Sequence, residues 1–230
     1  CLRIISSDLA EMTKLNSKLG EFLGAYKIDE KDIDILMDIK SINEKGGQYT
    51  VYSNLSQQIM NLPKWRNFIF ASGAFPENLS ECKISELNFV PRFDWQNWSH
   101  QTQQKQLKRN PTFADYTIRN PIFNETLQFY SSTTSIKYSL EDNWLVMKGK
   151  VREYEYYVAS AKLLAESEYF SGRGYSAGDE FTAQKAEHYE KYMADKTIKG
   201  TGGAEDWIYA GINHHLVLTV NQIANLSGSK

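Results

Sequence analysis

The side chains able to do chemistry in this chain of 230 residues are acids, cations and small residues at the ends of apolar runs. Asp38 and Lys40 close the run 33–40, Ser72 and Gly73 close the run 67–73, and Asp115, Tyr116 and Arg119 follow a short run that starts at Pro111. Arg92 and Asp94 fall between the last two runs, and Ser6, Ser7 and Asp8 follow the first apolar run, 1–5. Carboxylates set among a lysine and arginines suit two tasks. Asp38 or Asp115 can move a proton, while Lys40 and the planar guanidinium of Arg92 or Arg119 can hold a phosphate or carboxylate group. A plainer account pairs Asp38 with Lys40 and Arg92 with Asp94 to order the backbone.

Three further motifs invite chemistry. Gly174, Ser176 and Gly178 fit the G-x-S-x-G pattern of a nucleophile elbow, with acids and His214 later in the chain, as a serine acyl hydrolase using Ser176 requires. The elbow needs a strand before it, and 159–170 reads as a helix. Ser176 therefore reads better as a helix N-cap, with Asp179 at the capping-box position. His214 and His215 are adjacent, so on a helix they cannot both face one metal, and no metal site is expected. His214 is either a hydrogen-bonded core residue or, where it reaches the strand exits, a general acid or base. The glycines at 200, 202 and 203 lack the Gly-Lys-Ser/Thr ending of a phosphate loop and read as a turn. Nothing in the sequence calls for a cofactor.

Placing these groups together is the task of the elements. Leu2, Ile4 and Ile5 predict a strand, and a helix should run from 9 to 26, capped by Ser7 and apolar at Met12, Leu15, Leu19, Phe22 and Leu23. The run 33–40 is a strand covered on both faces. A helix over 49–62 should turn Val51, Leu55, Ile59 and Leu62 inward before Pro63 stops it. Residues 67–73 form the third strand, 76–91 are irregular, 93–105 are helical, and 111–118 supply the fourth strand between Pro111 and Pro121. Four strands separated by helices imply a parallel sheet with right-handed crossovers, either half of a (β/α)8 barrel or an open α/β sheet. The segments 135–140 and 143–148 predict an antiparallel hairpin, and helices follow over 153–168, 177–194 and 205–226. The fold class is thus α/β, a partial barrel-like parallel sheet over 1–126 with a hairpin and carboxyl-terminal helices over 127–230 packed on the same domain.

Composition bounds the partners. With 26 basic and 28 acidic residues and a formal net charge of -2, the chain has no charge excess for nucleic acid or a membrane surface. The tyrosines and phenylalanine at 154, 156, 157, 169 and 170 come without a basic cluster, so they read as packing. No apolar run approaches the ~18 residues of a membrane span. Cys1 and Cys82 form no metal or redox pattern, which fits a reducing cytoplasm. The chain opens on a strand-like run without leader or initiator methionine, so an upstream portion is expected.

Several stretches, in order, resemble one family. They are Phe70-Ala-Ser-Gly-Ala-Phe-Pro76, Pro91-Arg-Phe-Asp-Trp95, Pro111-Thr-Phe-Ala-Asp-Tyr116, Ser135-Ile-Lys-Tyr138 with Trp144, Ser176-Ala-Gly-Asp179, and Trp207 to His215 with its Asn213-His-His. Together they look like the phage beta protein family. The resemblance implies relatives in phages and bacteria that carry an additional amino-terminal part, and it implies no particular reaction. Four further β/α units in that part would make the strands here the second half of a barrel, with the missing portion covering their edges. Two functions follow as expectations. One is a small anionic ligand bound at the strand exits, with catalysis by Asp38, Asp115 or His214. The other is a non-catalytic protein-interaction module in phage–host conflict, marked by an exposed apolar patch.

Overall fold

The computed structural model describes residues 1–104, 106–122, 133–151 and 153–228. Two compact units divide the chain, Cys1–Phe75 with Arg92–Ile122, and Pro76–Pro91 with Phe123–Lys230. The first unit takes β1 (Leu2–Ile5), α1 (Ser6–Leu9), α2 (Met12–Tyr26), β2 (Asp34–Ser41), α3 (Gly47–Ser56) and β3 (Asn67–Gly73). The chain then gives β4 (Asn88–Pro91) to the second unit and returns with α4 (Phe93–Gln104) and β5 (Thr112–Ala114).

The four strands of the first unit are all parallel, in the order β1-β2-β3-β5. Ile35, Met37 and Ile39 of β2 are buried with Phe68 and Phe70 of β3 on one face of the sheet, while Leu36 and Ile69 on the other face are part-buried. Aromatic side chains tie helices to the sheet: Tyr49 of α3 lies 4.8 Å from Phe70, and Trp95 and Trp98 of α4 each lie 5.3 Å from Phe113 of β5.

Two helices depart from the sequence expectation. The helix expected over 9–26 starts at Ser6 and breaks at Ala10 and Glu11; its N-cap is Ile5 and not Ser7, and the Ile5 amide donates to Asp8 Oδ2 at 3.0 Å. The helix expected over 49–62 ends at Ser56, and it turns Tyr49, Ser53 and Ser56 inward while Val51 is exposed. Asn61, with φ of 51°, separates that helix from Leu62, which opens the short turn Leu62–Lys64. The small serines explain the choice of face. They let α3 lie close to its neighbours, and the Ser56 hydroxyl returns its proton to the Ser53 carbonyl at 2.6 Å.

The second unit is built on β6 (Thr133–Ser139) and β7 (Asn143–Val151), with α5 (Glu155–Ala165), α6 (Ala177–Ala194) and α7 (Ala204–Gly228). The expected hairpin is present, but β4 adds a third, antiparallel strand, giving the order β4-β7-β6. Part of the segment expected to be irregular thus pairs with β7. The core of this unit gathers Ile136, Tyr138, Leu145, Met147, Tyr157, Ala161, Leu164 and Trp207. Gly178 lets α6 approach α7, since a Cβ there would stand 2.1 Å from the Ala210 carbonyl oxygen.

The fold is therefore mixed α/β, a four-stranded parallel sheet and a separate three-stranded antiparallel sheet with seven helices among the described residues. None of those helices is long and apolar enough to cross a membrane.

Candidate functional site at the parallel strand exits

Asp38, near the end of β2, is the centre of a polar cluster in the first unit. Its side chain is 4% exposed, and four donors reach it. Oδ2 accepts from Arg3 Nε at 3.0 Å, from an Arg3 terminal nitrogen at 2.6 Å and from the Tyr116 hydroxyl at 2.7 Å, and Oδ1 accepts from the Lys40 amide at 3.0 Å. The Lys40 ammonium stands 3.6 Å from Oδ2 and 5.2 Å from the Tyr116 ring centre. Local backbone sets this up. The pairing of β2 with β3 is irregular between Asp38 and Ser41, and Lys40 has a φ of 60°, so the strand end is re-aimed as a bulge re-aims a side chain.

Tyr116 comes from beyond β5, two strands away from Asp38. It crosses the end of β3 at Gly73, where a Cβ would lie 3.1 Å from the tyrosine ring and 3.1 Å from Pro121. Gly73 thus makes room for a side chain of the same sheet. Ser72 beside it is buried.

The electrostatics follow from these contacts. Burial pushes Asp38 up, but the bonds from Tyr116, the Lys40 amide and Arg3 outweigh it and hold the acid below the ordinary carboxylate range. Burial and then the bond to Asp38 push the Tyr116 phenol well above its usual value. Arg3 is raised by its bond to Asp38. One carboxylate and two cations leave the cluster a net positive charge. Arg3 and Lys40 turn their side chains to solvent, 50% and 43% exposed. Asp38 has its lone pairs committed to donors, which makes it a weak proton acceptor and a strong anchor for the cations.

A second acidic group lies in the same unit. Arg92 and Asp94 are both buried, with the guanidinium 5.6 Å from the Trp95 ring. Asp94 Oδ1 accepts from the Trp95 amide at 2.9 Å, while Oδ2 is buried with no hydrogen-bond partner among the described residues. Burial, and secondarily the charge of Asp115, push the Asp94 pKa up to about 7 against the pull of Arg92. Asp115 closes a turn by accepting from the Thr117 amide at 2.9 Å. Arg119 is exposed, its amide bonded to the Tyr116 carbonyl at 3.1 Å. The cluster around Asp38 thus gathers Lys40 and Tyr116 from the expected set, with Gly73 beneath them; Arg92 is enclosed in the protein interior instead of facing solvent.

His214 belongs to α7 of the second unit and is committed there. Its Nδ1 lies 2.9 Å from Asp179 Oδ2 and its Nε2 2.8 Å from the Ser139 carbonyl, with the ring stacked 3.7 Å from that of Tyr138. Each ring nitrogen thus faces an oxygen of the same unit. Asp179 also accepts from the Tyr138 hydroxyl at 2.7 Å and the Ser176 hydroxyl at 2.5 Å, while Ser176 Oγ accepts from the Asp179 amide at 3.1 Å. Ser176 is the N-cap of α6, and its proton goes to the acid, not to a histidine. α5, not a strand, is the regular element that precedes it. That geometry is a capped, buried polar network, not a nucleophile elbow.

Arg3 was not among the expected residues, although it is the one charge in the apolar run 2–5. Among the described residues no group of three or more histidine, cysteine or acidic side chains is placed to hold a metal ion.

The family model described as Beta protein matches residues 1–221. The chain belongs to the Beta protein family. No curated protein and no solved structure matches it. For this Beta protein family member, the match takes in every strand of both sheets and most of α7.

Proposed function

We propose that this Beta protein family member binds a small anionic ligand, one bearing a phosphate or carboxylate group, at the exits of its parallel strands. The observation that carries the reading is the pair of half-exposed cations, Arg3 and Lys40, held on the buried carboxylate of Asp38. Exits of parallel strands are where α/β proteins bind ligands. Arg3 offers further guanidinium donors to a planar anion, and Lys40 adds a point charge. Asp38 and Tyr116 are positioning residues in this reading. Because its donors already fill Asp38, the site is read as a binding site, and no proton transfer is assigned to it.

Thermal shift of the purified chain tests this against inorganic phosphate, nucleoside monophosphates and citrate at low ionic strength. A ligand that binds the native state raises the melting temperature. At least one of these anions should do so, and Arg3→Ala should abolish the rise. A rise that survives both Arg3→Ala and Lys40→Ala, or no rise with any of the anions, contradicts the proposal.

A further inference from the structure

The second unit carries a small recess between α5 and α6 with aromatic walls. Glu155, Tyr156 and Ala159 of α5 and Tyr189 and Met193 of α6 line it, around a volume of about 190 Å³. Tyr156 and Ala159 are three residues apart and Tyr189 and Met193 four, so each pair shares one face of its helix. Ala159 is too small to fill the space. Tyr156 is fixed from behind by β7: a Cβ on Gly149 would stand 2.5 Å from the tyrosine Cβ and Cγ, so the base of that side chain packs on bare backbone. Of these five lining residues only Glu155 carries charge, and it is an acid.

The chemistry of these walls is that of a cation site. Lys196 already sets an ammonium at the edge: its Nζ lies 3.2 Å from Glu155 Oε2, 2.9 Å from Met193 Sδ and 4.6 Å from the Tyr192 ring centre. The lining rings attract cations as well, with Lys162 Nζ 4.9 Å from the centre of Tyr189 and Lys150 Nζ 6.0 Å from that of Tyr156. Those two lysines are held by acids of their own, Glu190 and Glu153. The Lys196 pair is weakly held, since Lys196 and Glu155 are 46% and 49% exposed and an ion pair in water contributes little. Glu155 is therefore able to exchange Lys196 for another cation.

We propose that this recess binds a quaternary ammonium group, the headgroup of a choline-type small molecule, with Tyr156 and Tyr189 as its aromatic walls and Glu155 as its counter-charge. Aromatic faces attract such a group through the ring quadrupole, and no hydrogen bond is needed. A primary ammonium brings three N–H donors that a single carboxylate does not satisfy, so its removal from water costs more. Full methylation removes the donors, and the methyl groups meet rings, a thioether and the Ala159 methyl. Size points the same way: pockets that enclose a whole small molecule hold about 300–1,000 Å³, so this one takes a headgroup. The site belongs wholly to the second unit and selects the opposite charge to the anion site of the first.

Isothermal titration of choline chloride into the full chain at low ionic strength tests this, with tetramethylammonium as the minimal probe and ethanolamine as the primary-ammonium control. Choline and tetramethylammonium should bind saturably, and ethanolamine about tenfold more weakly. Tyr189→Leu should weaken choline binding about tenfold, whereas Tyr189→Phe, which keeps the ring face, should leave it within about twofold of the parent. Glu155→Gln, at an exposed position, should weaken binding, and Lys196→Met should tighten it by freeing Glu155. The circular dichroism spectrum and melting temperature of each variant check that it is folded. No saturable choline binding by the folded parent, ethanolamine bound as tightly as choline, affinity unchanged in both Tyr189→Leu and Glu155→Gln, or weaker binding in Lys196→Met each overturns the proposal.

Discussion

At the scale of the residue, two buried acids of the first unit respond to pH in opposite directions. Asp38 is held below the ordinary carboxylate range by its donors. Its contribution to stability is present above the unfolded-state pKa and is lost as pH falls through the lower folded value. Asp38→Asn should therefore cost about 1–3 kcal/mol at pH 7 and much less near pH 3, read from urea unfolding at both pH values. Asp94 has its pKa raised to about 7. Between the unfolded value near 4 and this one, the native state holds a proton that the unfolded chain releases, so stability falls as pH rises across that window and levels off above it. Asp94→Asn should remove this slope and leave the protein more stable than the parent at pH 8, by at most a few kcal/mol at roughly 1.4 kcal/mol per pKa unit. A parent that keeps constant stability from pH 4 to pH 8 would contradict the assignment. Asp38, Lys40 and Tyr116 were legible in the sequence because strand ends are found from apolar runs alone. Arg3 was hidden, since its role depends on β1 pairing beside β2, with Arg3 level with Leu36. The partner of His214 was hidden for the same reason: Asp179 lies 35 residues away and was read only as a cap.

At the scale of the element, the ends of β3 and β5 act together. Tyr116 reaches Asp38 only because Gly73 has no Cβ in its path. Gly73→Ala should destabilise the first unit by about 1–3 kcal/mol, as overpacking does. It should also be non-additive with Tyr116→Phe, because both act on the same bond to Asp38, and a double-mutant cycle by chemical denaturation measures that coupling. Strictly additive effects would place Gly73 and Tyr116 in separate roles. Elements with a strong local signal were read to the residue, as with β3 at 67–73 and α6 at 177–194. The short strand β4 was not. Its four residues end in Pro91 and gain their strand character from β7, whose Asn143 pairs with Pro91. The break after Ser56 was equally silent, because Leu55, Ile59 and Leu62 keep helical spacing and only the left-handed Asn61 shows that the chain has left the helix.

At the scale of the whole molecule, the chain is shared between two units, and residues 76–91 leave the first to complete the sheet of the second. The expected resemblance became a family assignment over residues 1–221. The two units also divide the binding features. The first holds the converging polar side chains of a ligand site, and the second holds the aromatic recess between α5 and α6. The central claim concerns the first. Isothermal titration of inorganic phosphate into the parent and into the Arg3→Ala and Lys40→Ala variants, at low salt and pH 7, tests it most directly. The account predicts saturable binding by the parent, weakened about tenfold or more by each substitution and weakened progressively by added salt, as an exposed charge contact requires. Binding of equal strength in all three proteins would contradict it.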